Sequence, residues 1–453
     1  MTDIAYTEDQ LRAIQDISDW YDSLEWDDGG RLLDTIRTDS SGAGPNQVFR
    51  LFGYAGVGKT SVCRAAVDNL GLSAVCYAAY TGKASYVMRK HGLPTARTIS
   101  SLAYTVREAP EAAVDEMEKR IKEMREESRQ IDPQQRPMLD QQIADMIMEV
   151  KQMKEPHFML NPDSAIALCD LLVLDEVSMV NQEMAVDLLS FRKPILVLGD
   201  PGQLPPIRGD GFFISSKPNV MLTQIHRQAM ESAIIRLAIM ARNGEHIPYG
   251  SFSDKVAKLH KYEVQPEWML KADQVICGRN DTRFDTNNLL RKLAGFDVTY
   301  PFPTSDQEKI ICLKNNRQEG LINGMFMTLH DIETVIDITG AKRFTARMKD
   351  ESGEWLGSVR TKKGEGPKMP IYTGHFLDHV DFDKDRNDRD WKTKKGLVEA
   401  TFGWVVTCHK FQGSQAQNII VIDDHLGQRD KSFRKQWLYT AITRAEEGLI
   451  IVD

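Results

Sequence analysis

The chain has 453 residues, a hydrophobic share of 42%, a charged share of 27% and a formal charge of −8 from 57 basic and 65 acidic residues. One compact core stops growing at about 250 to 300 residues, so two or more domains are expected. The acidic balance excludes a molecule whose whole field attracts polyanions, leaving only a local basic groove as a nucleic-acid site. No apolar run approaches the roughly 20 residues of a membrane span.

The opening MTDIAYTEDQ has no basic stretch followed by an apolar one, so a cytoplasmic location is expected. From Gln47 to about Leu222 short apolar runs alternate with helical stretches, the pattern of buried parallel strands in an α/β nucleotide-binding core. The first run, Val48 to Phe52, enters Gly53-Tyr54-Ala55-Gly56-Val57-Gly58-Lys59-Thr60, which has the spacing G-x-x-x-x-G-K-T. Its glycines (Gly53, Gly56, Gly58) let backbone N–H groups curl around phosphates. Lys59 reaches the outer phosphates, and Thr60 offers a hydroxyl to Mg²⁺. A nucleoside triphosphate and Mg²⁺ are therefore the expected ligands. The runs Ser73 to Ala79, Leu171 to Asp175 and Pro194 to Gly199 supply further strands of this core.

An interruption runs from about Thr105 to Pro162. Val114, Met117, Ile121 and Met124, then Leu139, Ile143, Met146, Val150 and Met153, recur at three- and four-residue steps on either side of Asp132-Pro133. One apolar stripe on each of two charged helices predicts an antiparallel helical arm; a charged face of this kind equally suits a plain stalk. The flanks, Leu102 to Arg107 and His157 to Asn161, are expected to pair as two strands at its base.

The strand Leu171 to Leu174 runs into Asp175-Glu176. Asp175 at the tip suits the Mg²⁺ shell and Glu176 the polarisation of an attacking water, the two roles phosphoryl transfer requires. Leu198-Gly199-Asp200-Pro201-Gly202-Gln203 is another strand running into a turn, where the Gln203 amide is placed to sense a γ-phosphate. Arg227 and Arg444 are candidates for guanidinium groups delivered to that phosphate from a second core. This second α/β core is marked by strand-like runs at Gln274 to Gly278, Trp404 to Thr407, Asn418 to Asp423 and Leu449 to Asp453. Between them, about Ile322 to Glu399 is rich in Gly, Thr, Lys and Asp with short alternating stretches, which predicts a small β-barrel-like insertion. Asp381 to Gly396 has the composition of an exposed charged loop. The six scattered cysteines contain no C-x-x-C pair, so free buried thiols are expected rather than a zinc site or a disulfide frame.

In this order the motifs resemble superfamily 1B helicases, the group of the RecD subunit and the phage Dda helicase, in register from Thr7-Glu8-Asp9-Gln10 to Arg444. Only the helical arm lies outside the likeness. The resemblance implies two RecA-like parallel-sheet cores: domain 1A over 1–104 and 163–225, and domain 2A over 226–321 and 400–453. A pin hairpin with its arm (domain 1B, 105–162) and an SH3-like barrel (domain 2B, 322–399) would be inserted in them.

Gln10 would read adenine, its amide edge able to donate and accept at once, and Gly413 would touch the nucleotide. Thr81-Gly82-Lys83-Ala84 and Thr98-Ile99-Ser100-Ser101 look like strand-binding motifs. So do Asn280 with Asn287 and Arg291, Asn323-Gly324, and Thr407-Cys408-His409-Lys410. Thr81, Lys83, Thr98, Ser100, Asn280, Asn287, Arg291, Thr407, His409 and Lys410 are thus the expected DNA contacts. Ser100 and Tyr80 depart from the family's usual histidine and proline, so grip on the strand is expected to differ there.

The implied activity is ATP-driven 5′-to-3′ movement along single-stranded DNA with opening of the duplex, in phage-type replication or recombination, by a monomer; the arm, outside the likeness, is a candidate surface for a replication or recombination protein. A translocase that strips proteins without unwinding, and a nucleotide-regulated DNA-binding scaffold, are the rival readings; RNA as the strand is less favoured. No nuclease constellation is visible.

Overall fold

The computed structural model describes residues 6–33, 47–90, 92–107, 111–130, 136–154, 157–205, 211–224, 231–316, 319–336, 342–359, 361, 364–376, 396–426 and 430–453. Two compact units are present, residues 100–165 and the remainder. Arg227 and nearly all of the Asp381 to Gly396 run lie outside the described residues.

In the larger unit the first sheet is wholly parallel. Its spatial order is Arg97–Thr98, Val75–Ala79, Leu171–Asp175, Ile195–Gly199, Val48–Gly53 and Val220–Leu222. The central strands are buried along their length, from Val48–Gly53 to Leu171–Leu174 and Ile195–Leu198, which only two covered faces permit. One cover is the helix pair Glu8–Asp22 and Lys59–Leu70. Ala13, Ile14 and Ile17 on the first, and Val62, Cys63 and Ala66 on the second, pack against Phe49, Leu51, Val173 and Leu198. The register sets Phe52 beside Gly199 and Leu174 beside Val197. Parallel strands discharge their carboxyl ends at one edge, so the loop after Gly53, the acids after Leu174 and the turn after Gly199 emerge as neighbours.

The second sheet runs Val405–Thr407, Gln274–Cys277, Ala416–Ile422, Ala445–Val452, Val256–Leu259 and Gly250–Ser253, antiparallel only at the last pair. The first four match the expected runs. The last two, Val256–Leu259 and the edge strand Gly250–Ser253, are short and partly polar, which hid them in the sequence. The composition-rich insertion forms a five-stranded antiparallel sheet in the order Met369–Ile371, Lys342–Asp350, Phe326–Ile336, Lys309–Cys312 and Ala400–Phe402. It closes on Ile310, Leu329, Phe344, Phe376 and Phe402. This sheet reaches beyond the expected 322–399 window at both ends, because KIIC and ATF pair with each other and with the insertion rather than with the second core.

In the smaller unit Tyr104–Arg107 pairs antiparallel with His157–Leu160, as expected at the base of the arm. The helices Glu111–Gln130 and Arg136–Lys154 pack together. Ile121, Ile143 and Val150 of the expected stripes are buried, and Met117, Met124, Leu139 and Met146 half-buried. Ser128 Oγ donates to Asp140 near the turn between the helices, at 2.7 Å. All six cysteines are free. No helix among the described residues is long and apolar enough to cross a membrane.

Candidate nucleotide site at the seam of two sheets

The glycine loop begins where Val48–Gly53 ends. Gly56 and Gly58 both have φ of 81°, a left-handed backbone that glycine adopts without strain. At Gly53 a Cβ would meet Val57 Cγ2 at 2.6 Å and Leu222 Cβ at 3.1 Å, so the close turn also needs glycine there. Lys59 opens its helix and donates from Nζ to the carbonyls of Gly53 at 2.7 Å and Tyr54 at 3.2 Å, with half-buried Thr60 next to it in the first turn. Gln10 is buried. Its Nε2 donates to Val57 O at 2.9 Å while its Oε1 accepts the Thr7 N–H at 2.9 Å, so the amide ties the first helix to the glycine loop.

Beside this loop Asp175 Oδ1 accepts the N–H of Glu176 at 2.8 Å. Burial, then the neighbouring Glu176 charge, pushes the Asp175 carboxyl up to about 6 against the opposing pull of that N–H and of Lys59. Glu176 itself is held at φ 52°, a costly conformation for a residue with a side chain and one that clusters at functional sites. A buried carboxyl raised by a second carboxylate is a donor set that suits a hard divalent cation, with the Thr60 hydroxyl as a companion oxygen.

Across the seam Arg444 Nη1 stands 3.9 Å from Glu176 Oε1. The guanidinium is buried and anchored on the carbonyls of Thr440 (3.2 Å) and Ser414 (3.4 Å). Gln203 is buried, with its Oε1 unpartnered among the described residues. The turn carrying it is stitched to the second core: Leu204 N–H donates to Thr440 Oγ1 at 2.9 Å, and Gln412 Nε2 donates to Leu204 O at 3.1 Å.

Three participants had no local sequence signal. Tyr439 Oη accepts the Ala55 N–H at 2.8 Å and donates to Asp200 Oδ2 at 2.7 Å; burial first, then the Asp200 charge, pushes its pKa up, so the hydroxyl keeps its proton. Arg242 lies 3.8 Å from the ring centroid of Tyr54. Only the fold brings these partners together, from chain positions far apart.

The expected strand contacts divide. Thr81 precedes the helix Gly82–Lys90 and accepts the Ala84 N–H at 3.1 Å. A Cβ at Gly413 would stand 2.7 Å from Thr81 Oγ1 and 3.0 Å from Ala84 Cβ. Gly413 therefore abuts the expected strand-binding motif of the first core. Lys83 is paired with Glu351, at the turn of the antiparallel insertion.

Asn280 and Lys410 are exposed, and Thr98, Thr407 and His409 half-buried. Burial lowers the His409 pKa, keeping its imidazole neutral. Ser100, half-buried, belongs to the separate unit 100–165. Asn287 and Arg291 are fully enclosed. Asn287 Nδ2 donates to the carbonyls of Arg283 and Val405, and its Oδ1 accepts the Val405 N–H. Arg291 is paired in the interior with Glu308, Nε to Oε2 at 2.5 Å and Nη2 to Oε1 at 3.2 Å. Both are enclosed in the interior, so neither presents a polar group to a strand; Arg291 Nη1 alone has no hydrogen-bond partner among the described residues.

A profile of the AAA domain matches residues 41–262, and one of the UvrD-like helicase C-terminal domain matches 402–452. The ATP-dependent RecD2 DNA helicase of Deinococcus radiodurans is 35% identical over 104 residues, 22% of this chain and 14% of that protein; the chain thus spans about a seventh of that relative. Among solved structures, Pif1 helicases on forked duplex DNA share 16% identity at a TM-score of 0.49, covering 99% of this chain and 92% of theirs. Bacteroides Pif1 bound to single-stranded DNA shares 16% at 0.48, covering 99% and 92%. The structural likenesses are loose; the chain carries an AAA domain and a UvrD-like helicase C-terminal domain, and the order of its motifs is similar to that of the superfamily 1B helicases.

Proposed function

We propose that this protein hydrolyses ATP to move 5′ to 3′ along single-stranded DNA and to open the duplex ahead of it. The observation that supports this most is the split site: the glycine loop, Asp175 and Glu176 belong to one sheet, while Arg444 reaches Glu176 from the other. Hydrolysis shared across a seam is coupled to its closure, because a guanidinium on the far side stabilises the transferring phosphoryl group only when the seam is shut.

In this reading Gln10 recognises adenine beside the glycine loop, and Gly56, Gly58 and Lys59 hold the phosphates. Glu176 takes the proton of the attacking water, which Gln203 orients. Arg444, and Arg227 by the family resemblance, answer the charge that develops on the γ-phosphate. Mg²⁺, held by Asp175 and Thr60, would supply charge neutralisation on the phosphate oxygens.

The strand is gripped by Thr81, Lys83 and Thr98 on the first core and by Asn280, Thr407, His409 and Lys410 on the second. Hydroxyls and cations of this kind engage backbone phosphates without reading sequence, which suits a motor that must pass every base. Closing and opening the seam then alternates the grip of the two cores. The strand pair Tyr104–Arg107 and His157–Leu160 is assigned to the pin that splits base pairs, and the five-stranded antiparallel sheet to an SH3-like clamp.

The test is unwinding of matched duplexes bearing only a 5′ or only a 3′ single-stranded tail, with ATP and Mg²⁺. Opening of the 5′-tailed duplex alone is expected. Opening of the 3′-tailed duplex alone overturns the direction, and opening of neither overturns the helicase reading in favour of a translocase.

A further inference from the structure

The glycine loop is touched from the second core at a point that phosphate chemistry alone does not require. Tyr439 lies in the helix Lys431–Ile442 and is buried. Its Oη accepts the N–H of Ala55 at 2.8 Å and donates to Asp200 Oδ2 at 2.7 Å, while Asp200 Oδ1 accepts the Gly202 N–H at 2.9 Å. One hydroxyl thereby joins the glycine loop, the turn that carries Gln203, and the helix that leads to Arg444.

The contact is sculpted on all sides. At Gly202 a Cβ would meet the Tyr439 ring at 2.9 Å. The Tyr54 ring meets Tyr439 edge-on at 6.3 Å, and Arg242 of the helix Ala233–Asn243 covers Tyr54 at 3.8 Å. Tyr54 and Ala55, the second and third residues of the loop, are thus held by two helices of the second core.

The Ala55 N–H carries a single hydrogen and lies in the loop whose N–H groups the phosphates are expected to occupy. While it donates to Tyr439 it is not available to a phosphate oxygen. A tyrosine hydroxyl likewise has one proton, here committed to Asp200.

We propose that Tyr439 is a positioning residue that reports phosphate binding to the second core: a nucleotide takes the Ala55 N–H from Tyr439, and the hydroxyl, released from the loop, resets the Asp200 turn and the helix bearing Arg444. The inference rests on the ATPase reading above and deepens it, since it names the group through which nucleotide and strand would be coupled. Nucleotide binding works against the Tyr439 contact, and strand binding, by adjusting the seam, sets how firmly that contact is held.

The test is Tyr439→Phe, which keeps the ring packing against Gly202 and Tyr54 and removes only the hydroxyl. Affinity for a fluorescent non-hydrolysable ATP analogue with Mg²⁺, measured without DNA, is expected to rise about two- to tenfold, the worth of one competing hydrogen bond. The ratio of ATP turnover with and without single-stranded DNA is expected to fall. Thr440→Ala, which removes the neighbouring bond to Leu204 N–H but touches no loop amide, is expected to leave the analogue affinity where it was.

A merely structural Tyr439 would show lower melting temperature with unchanged or weaker analogue binding, and that result overturns the proposal. So does a gain in affinity that Thr440→Ala reproduces. The wild-type response to DNA separates the two readings. If DNA leaves wild-type turnover unchanged, the motor reading fails whatever Tyr439→Phe does to affinity. If DNA stimulates the wild type and Tyr439→Phe binds the analogue no better, only the Tyr439 inference fails.

Discussion

Glu176 shows what the residue scale adds to a motif. Its carboxylate follows a buried strand, its backbone is held at φ 52° and Arg444 approaches it from the second sheet. A carboxylate at that place is positioned to serve as the general base of the proposed hydrolysis. Replacing Glu176 by Gln keeps the shape and removes the basicity. ATP turnover is expected to fall by about 10²- to 10⁴-fold while nucleotide binding persists; steady-state turnover alongside analogue binding checks it, and a near-normal rate would take Glu176 out of the mechanism. Lys59, Asp175 and Glu176 were legible in the chain because the strand, the loop and the spacing are local. Tyr439, Asp200 and Arg242 were not, because what makes them part of the site is a meeting between positions hundreds of residues apart.

Elements show where a family likeness misplaces side chains. The helix Asn280–Leu293 follows a strand of the second core, and its amide and guanidinium groups read from the chain as contacts for a strand. In the fold that face turns inward. Asn287 pins the Val405 backbone, and Arg291 crosses to Glu308 just ahead of the strand Lys309–Cys312, with its guanidinium 4.1 Å from the Phe402 ring centroid. The pair therefore binds the second core to the antiparallel insertion.

Polarity at a helix position cannot by itself distinguish a buried ion pair from a ligand contact, which is why the chain alone misled. Composition likewise placed the insertion's edges at 322 and 399, although Lys309–Cys312 and Ala400–Phe402 complete its sheet. Arg291→Ala leaves the Glu308 carboxylate buried without its partner and is expected to cost about 3–5 kcal/mol of stability. Urea unfolding measures this, with Arg291→Met combined with Glu308→Leu expected to recover most of it. A loss of strand affinity at unchanged stability would restore Arg291 to the DNA face.

At the scale of the molecule, the proposed nucleotide site lies between a parallel sheet and a mostly parallel one, and the motifs expected to hold the strand come from both. Thr81 of the first core touches the Gly413 position of the second, and Lys83 is paired with Glu351 of the insertion, so the proposed grip residues also span elements that must move if the seam opens. The alternation of two α/β cores and the paired strands and striped helices of residues 100–165 were readable from periodicity, because each rests on apolar spacing within one segment. How the seam is fastened was not, since its fasteners are single hydroxyls and amides: Tyr439 on Ala55, Thr440 on Leu204, Gln412 on Leu204.

The account as a whole requires that chemistry at this seam be coupled to a strand held across both cores. The most direct measurement is ATP turnover by the full chain with Mg²⁺, with and without a single-stranded DNA oligonucleotide, using Lys59→Ala as the inactive reference. Stimulation of at least about tenfold, within the usual span of coupling between two sites, is the predicted result. Turnover that is measurable, abolished by Lys59→Ala and yet indifferent to the oligonucleotide would contradict it.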